Sequence, residues 1–200
     1  MDLLAATATV RMSGKRAGWT LALVFLLGLF GLPASSSRAH AASIDRPEAI
    51  KAAYLYKFTN YVQWPGNAFA RPDSPIVIGV MGDDQLAGLV GRIVAGKVVN
   101  GRGFEIRLLR PGEAITGVHV LYVGEIGRSA LLSVLGQAQG HPVLVVSDSR
   151  RAYALGSMIN FVVIDSRLRF EVALQPAARS GLKLSALMLT AAYDVAREGP

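Results

Sequence analysis

Three carboxylates stand where this chain could do chemistry. Asp83 and Asp84 follow the apolar run Ile76–Met81, and Asp148 follows Val143–Val146 (VLVV). If both runs are parallel strands, these side chains lie beyond strand carboxyl ends, where open α/β sheets bind ligands. Gathered there, they could hold Mg²⁺. The simpler assignment is that each Asp caps the helix after it by accepting a first-turn backbone N–H. Gly79-x-x-Gly82 hints at a dinucleotide loop, but G-x-G-x-x-G is absent, as are a P-loop, a G-x-S-x-G elbow and H-E-x-x-H. A tight strand-to-helix turn accounts for both glycines. His119 falls inside an apolar strand and His141 precedes Pro142 in a turn, neither beside an obvious acid or nucleophile. Arg179 and Lys183 suggest a different chemistry. Four residues apart, they would share one face of a helix, with Gly181 between them leaving the backbone open to approach. Two such cations suit a carboxylate, a phosphate or acidic groups on a partner. The alternative is an ordinary solvated face.

The elements that must position these side chains alternate between strand and helix. Asp45 before Pro47 is the order expected for a helix N-cap and first turn. From Glu48 to Val62, Ile50, Tyr54, Phe58 and Tyr61 recur at helical spacing, and Trp64-Pro65 should end that helix. Ile76–Met81 then leads into a helical pattern at Leu86, Leu89, Val90 and Ile93. The motif returns at His119–Val123 with a helix from about Ser129 to Ala138, and at Val143–Val146 with a short helical turn. Continuous apolar runs suit strands buried on both faces of a parallel sheet. Lys97–Val99 and Phe104–Leu109 flank Asn100-Gly101-Arg102-Gly103, which predicts a hairpin. Met158–Ile164 and Leu168–Leu174 read as an antiparallel pair, with Arg169 and Glu171 pointing away from Phe170 and Val172. Pro176 opens a final helix to about Arg197, which Gly181 weakens. The expected fold is α/β: a single three-layer domain, its central sheet mostly parallel with an antiparallel C-terminal strand pair, flanked by helices.

The amino terminus reads as an export signal. Arg11, Lys15 and Arg16 precede an uncharged run of 14 residues, Trp19–Leu32, and Ala39-His40-Ala41 fits an A-x-A cleavage site. Met12 gives this signal a more compact basic region than Met1. The run is short of the roughly 20 residues a membrane-spanning helix needs. Residues 1–41 are thus expected to be removed near Ala41, leaving 42–200 as the periplasmic domain. With no cysteine in the chain, a lipid-anchored lipoprotein, disulfides and thiolate zinc sites are all excluded. Residues 42–200 hold two histidines and 17 basic against 13 acidic residues, a net charge of +4. These charges are scattered, so neither a multi-histidine metal centre nor nucleic-acid binding is expected. No catalytic residue, metal or cofactor is assigned.

The ordered set Lys51–Phe58 (KAAYLYKF) through Trp64-Pro65, Ile76–Gly82, His119-Val120-Leu121, Val143–Asp148 and the turn Gly156–Ile159 resembles the YfiR family of periplasmic proteins. The resemblance spans about Ile50 to Val195. It implies a non-enzymatic regulator that binds the periplasmic sensor domain of a YfiN-like inner-membrane diguanylate cyclase and lowers cyclic-di-GMP. A YfiB-like outer-membrane lipoprotein would relieve the inhibition, and a homodimer is possible. Better-studied members carry cysteines where Gly79 and Val118 stand, tied to redox control that a cysteine-free chain lacks. The resemblance also implies a small-ligand site near Gly181–Ser185 and a partner-binding face near Gly156–Phe161. The candidate site residues are therefore Arg179, Lys183, Ser185, Met158 and Phe161. The rival hypothesis is a periplasmic small-molecule binder or enzyme using the pocket beyond Asp83 and Asp148.

Overall fold

The computed structural model describes residues 37–197. Most of the expected export segment, its apolar run Trp19–Leu32 included, lies outside them, only residues 37–41 of it being described, and among the described residues no helix is long and apolar enough to cross a membrane. In chain order the elements are helix α1 (Ser37–Phe58), strand β1 (Val62–Gln63), β2 (Ile76–Met81), α2 (Asp84–Val94), β3 (Phe104–Leu109), β4 (Val120–Val123), α3 (Arg128–Ala138), β5 (Leu144–Ser147), α4 (Arg150–Ala154), β6 (Ile159–Ile164), β7 (Arg167–Ala173), α5 (Leu174–Arg179), β8 (Lys183–Leu184), α6 (Ala186–Ala191) and β9 (Asp194–Ala196). Seven strands form one sheet in the order β3-β2-β4-β5-β6-β7-β9, and β1 and β8 make a separate antiparallel pair. Neighbours from β3 to β6 run parallel, β6 and β7 antiparallel, and β9 parallel to β7.

Every residue of β2, β4 and β5 is buried, as strands covered on both faces require. On one face Ile78, Val80, Val120 and Val146 meet Leu55 and Phe58 of α1 and Leu86 and Val90 of α2. On the other, Val77, Met81, Leu121 and Val145 meet Leu131, Val134 and Leu135 of α3 and Ala152 of α4. The aromatic residues of α1 belong to this core: Phe58 lies 5.1 Å from Phe170 and 6.0 Å from Phe161, ring centre to ring centre.

Four local expectations are corrected. α1 runs through Asp45 with Pro47 inside it, so Asp45 is not its cap. It ends at Phe58 in tight turns, Tyr61 N–H bonding the Phe58 carbonyl, before Trp64-Pro65 is reached. The Asn100-Gly101 turn exists, with φ of 51° and 77°, but only Val99 and Arg102 bridge across it. Its second arm pairs parallel with β2 instead, where the apolar side chains of β3 find a face to cover.

The fourth correction bears on the site. No continuous C-terminal helix forms. Gly181 adopts φ +69°, and Leu182 N–H bonds the Ala177 carbonyl while Gly181 N–H bonds that of Ala178, the paired bonds of a glycine helix stop. After it the chain extends into β8, turns once as α6 and ends in β9 at the sheet edge. Leu182 and Met188 are buried all the same, so the apolar spacing reported burial and not helix continuity.

Candidate functional site

Because β3 and β4 flank β2 on opposite sides, the strand order reverses at β2, and a cleft of about 700 Å³ opens beyond the carboxyl ends of β2, β4 and β5. α1 closes one side of it. Lys51 Nζ lies 2.9 Å from Glu48 Oε1 and 2.7 Å from Asp148 Oδ2. Burial pulls the Lys51 pKa down, but the bonds to Asp148 and Glu48 outweigh it and the net shift is upward. Tyr122, on β4, lines the same cleft; burial above all, then the charge of Asp148, pushes its phenol far up. Asp83 caps α2, accepting the Leu86 N–H at 2.8 Å. Ser149 caps α4 in the same way, so the turn after β5 is capped by the residue beyond Asp148. Ser147 Oγ donates to the Val123 carbonyl at 2.7 Å, tying the ends of β4 and β5 together. Gly82 and Gly124 are forced by proximity: a Cβ on Gly124 would sit 3.0 Å from the Gly82 carbonyl oxygen.

Asp83, Asp84 and Asp148 therefore do not converge. Asp83 caps, Asp84 is exposed and Asp148 binds Lys51. Among the described residues no three metal-ligating side chains cluster. His119 is buried and serves the fold. Its Nδ1 accepts the Val77 N–H at 3.1 Å, so Nε2 carries the proton and donates to the Ala68 carbonyl at 3.1 Å. The ring stacks on Phe69 at 4.2 Å, and the Arg102 guanidinium covers the other face of Phe69 at 3.8 Å. Burial, partly opposed by the Ala68 bond and aided by Arg102, lowers its pKa. His141 is exposed.

A groove of about 230 Å³ lies elsewhere, where the C-terminal ends of α3, α4 and α5 meet. Met158 and Arg179 both border it, with Leu132, Leu155 and Gly156. Leu132 and Leu155 are 47 % and 37 % exposed despite their apolar side chains. The other candidate residues are not brought here. Phe161 is core, stacked with Phe58. Lys183 lies on β8 opposite Gln63, and Ser185 caps α6 by accepting the Met188 N–H at 3.2 Å. With the Gly181 stop between them, Arg179 and Lys183 do not share a helix face.

Sequence reasoning missed the buried polar row beneath α4. Glu171, read only as pointing away from Phe170 and Val172, is 6 % exposed: Asn160 Nδ2 donates to its Oε2 at 3.0 Å, and Arg150 Nη1 approaches Oε1 at 3.6 Å. Burial pushes the nearby Tyr153 phenol up to about 12, with the charges of Glu171 and Asp194 adding to it. Lys51 with Glu48 was detectable as an i,i+3 pair, but nothing local pointed to Asp148 as the third member.

A family model described as YfiR/HmsC-like matches residues 48–193. The chain belongs to the YfiR/HmsC-like family. The match runs from Glu48 of the cleft network to Tyr193, just before β9, and so takes in both cleft and groove. In this YfiR/HmsC-like chain the positions where relatives were expected to carry cysteines, Gly79 and Val118, adjoin. A Cβ on Gly79 would lie 3.2 Å from Val118 Cγ1 and 2.8 Å from Leu109 Cδ1, so glycine permits the close packing there.

Proposed function

We propose that this protein is a periplasmic, non-enzymatic regulator that docks on the sensor domain of a YfiN-like inner-membrane diguanylate cyclase and holds it inactive, lowering cyclic-di-GMP and biofilm formation. The observation that carries the reading is the family match over residues 48–193. The cleft supports it: Lys51, Glu48, Asp148 and Asp83 are engaged with one another or with backbone, which leaves no poised acid–base pair among them. The groove bordered by Leu132, Leu155, Met158 and Arg179 is the docking surface, combining exposed apolar side chains with an arginine, a pairing favoured at interface centres. On this reading residues 1–41 are an export segment, 42–200 the regulatory domain, and a YfiB-like lipoprotein relieves the inhibition. Deleting the gene in a strain that keeps the cyclase is expected to raise cyclic-di-GMP and surface attachment, with reversal on complementation. Unchanged nucleotide levels contradict it.

One observation favours a second reading. Glu48 Oε2 is buried at the cleft without a hydrogen-bond partner, as an acceptor for a small donor-bearing molecule would be. Turnover of a small molecule by the purified protein, with no effect of the deletion on cyclic-di-GMP, decides for that alternative.

A further inference from the structure

Asn160, Glu171 and Asp194 stand in one row across three strands. Asn160 of β6 is in register with Glu171 of β7, and Glu171 with Asp194 of β9, so the three side chains leave the sheet on the same face. Adjacent strands lie about 4.8 Å apart, and like charges directly opposite each other destabilise a sheet. Glu171 and Asp194 are such a pair. Burial of Glu171 sharpens the problem, because a charge taken out of water is normally paired or bound to a metal. The cation beside it is Arg150 of α4, whose side chain is exposed and whose approach of 3.6 Å is too long for a hydrogen bond. Among the described residues no ion pair reaches Asp194.

Two neutral oxygens adjoin this carboxylate pair. Asn160 Oδ1 and the Tyr153 hydroxyl are buried without a hydrogen-bond partner among the described residues, Asn160 being wholly buried and Tyr153 7 % exposed. Buried polar atoms are paired in the great majority of cases. Both side chains neighbour Glu171: Asn160 Nδ2 donates to its Oε2 at 3.0 Å, and the charges of Glu171 and Asp194 both act on the Tyr153 hydroxyl. A half-turn of the Asn160 amide presents Oδ1 beside the same carboxylate. The four groups then offer oxygen atoms only, the ligands of a hard cation. A dication between Glu171 and Asp194 converts their repulsion into attraction. Three acid or histidine ligands do not gather among the described residues, so two carboxylates and neutral oxygens have to suffice. That low charge suits calcium, which accepts carboxylate, amide and water oxygens in flexible geometry, better than magnesium.

We propose that Glu171, Asp194 and Asn160 Oδ1 bind a calcium ion, with the Tyr153 hydroxyl completing the site and the ion tying the edge strand β9 to β7. The test titrates chelator-treated purified protein with calcium chloride and reads both the heat of binding and the melting temperature. Saturable binding is expected with a dissociation constant of about 0.1–1 mM, the weak end of protein calcium sites. The melting temperature should rise with calcium concentration, and magnesium at equal ionic strength should act more weakly. Asp194 is exposed, so Asp194→Asn should fold. Because it removes a ligand charge and the repulsion together, it should weaken calcium binding about tenfold or more while melting no lower than wild type in chelator. Arg150→Gln removes the competing cation and should tighten binding. No saturable heat by about 10 mM calcium, a response that magnesium or sodium matches, or an Asp194→Asn protein that binds calcium as the wild type does overturns the proposal.

Discussion

The cleft beyond the strand ends and the groove between the helix ends are built in opposite ways. In the cleft, charges are numerous and mostly paired: Lys51 bridges Glu48 and Asp148, and Asp83 caps α2, with Glu48 Oε2 alone of these carboxylate oxygens buried and without a partner. In the groove a single cation, Arg179, stands beside the exposed Leu132 and Leu155, and no described residue pairs with it. The position at which α/β sheets commonly bind ligands is here spent on holding α1 against the sheet. The unspent apolar surface and the unpaired charge lie near the opposite ends of the helices. Recognition is therefore expected at the groove and stability at the cleft.

The sharpest way to break that contrast is Lys51→Met. It strands two partly buried carboxylates, a loss between that of an exposed pair and that of a buried one, so about 2 kcal/mol of unfolding free energy should disappear in urea titration. The Lys51 pKa is raised, so its contribution is fully present below its ordinary value of 10.5 and fades as pH rises through the higher folded value. A loss below about 0.5 kcal/mol would mean the network is surface decoration.

His119 gives a smaller effect in the opposite pH window. Its folded pKa is lowered, so its contribution is present above the ordinary value of 6.5 and fades as pH falls below it. The melting temperature should drop between about pH 7.5 and pH 5, and His119→Gln should flatten that dependence. An unchanged slope in the variant assigns the acid sensitivity to other groups. At the groove, Leu132→Asp with Arg179→Glu should shift stability by no more than about 0.5 kcal/mol, since both side chains are exposed. The smallest expected effect is none: with no thiol in the chain, melts with and without reductant should coincide.

How much of this was legible in the sequence divides along physical lines. β2, β4 and β5 were readable because a strand buried on both faces is apolar nearly throughout, and the cap at Asp83 sits where it was expected, whereas the cap of α4 is Ser149 and not the expected Asp148. β3 was readable as a strand but not in its pairing: the Asn100-Gly101 turn signals a hairpin correctly at the turn, while burial against β2 decides the rest. The C-terminal segment misled because the apolar residues Leu182, Leu184, Leu187, Met188 and Leu189 continue beyond a glycine stop at Gly181. For the candidate site, Met158 and Arg179 do meet at one groove. Phe161, Lys183 and Ser185 do not, because their neighbours in space come from α1, β1 and the first turn of α6. Contacts such as Lys51 with Asp148, 97 residues apart, leave no local trace.

The most direct test of the central claim is the affinity of the cyclase sensor domain for three purified proteins: wild type, Lys51→Met held well below its melting temperature, and the Leu132→Asp, Arg179→Glu variant. Recognition at the groove predicts wild-type binding by the first two and at least a tenfold weakening, roughly 1.4 kcal/mol, in the third with its fold intact. Wild-type binding by the groove variant, or loss of binding in folded Lys51→Met alone, contradicts it and moves recognition to the cleft.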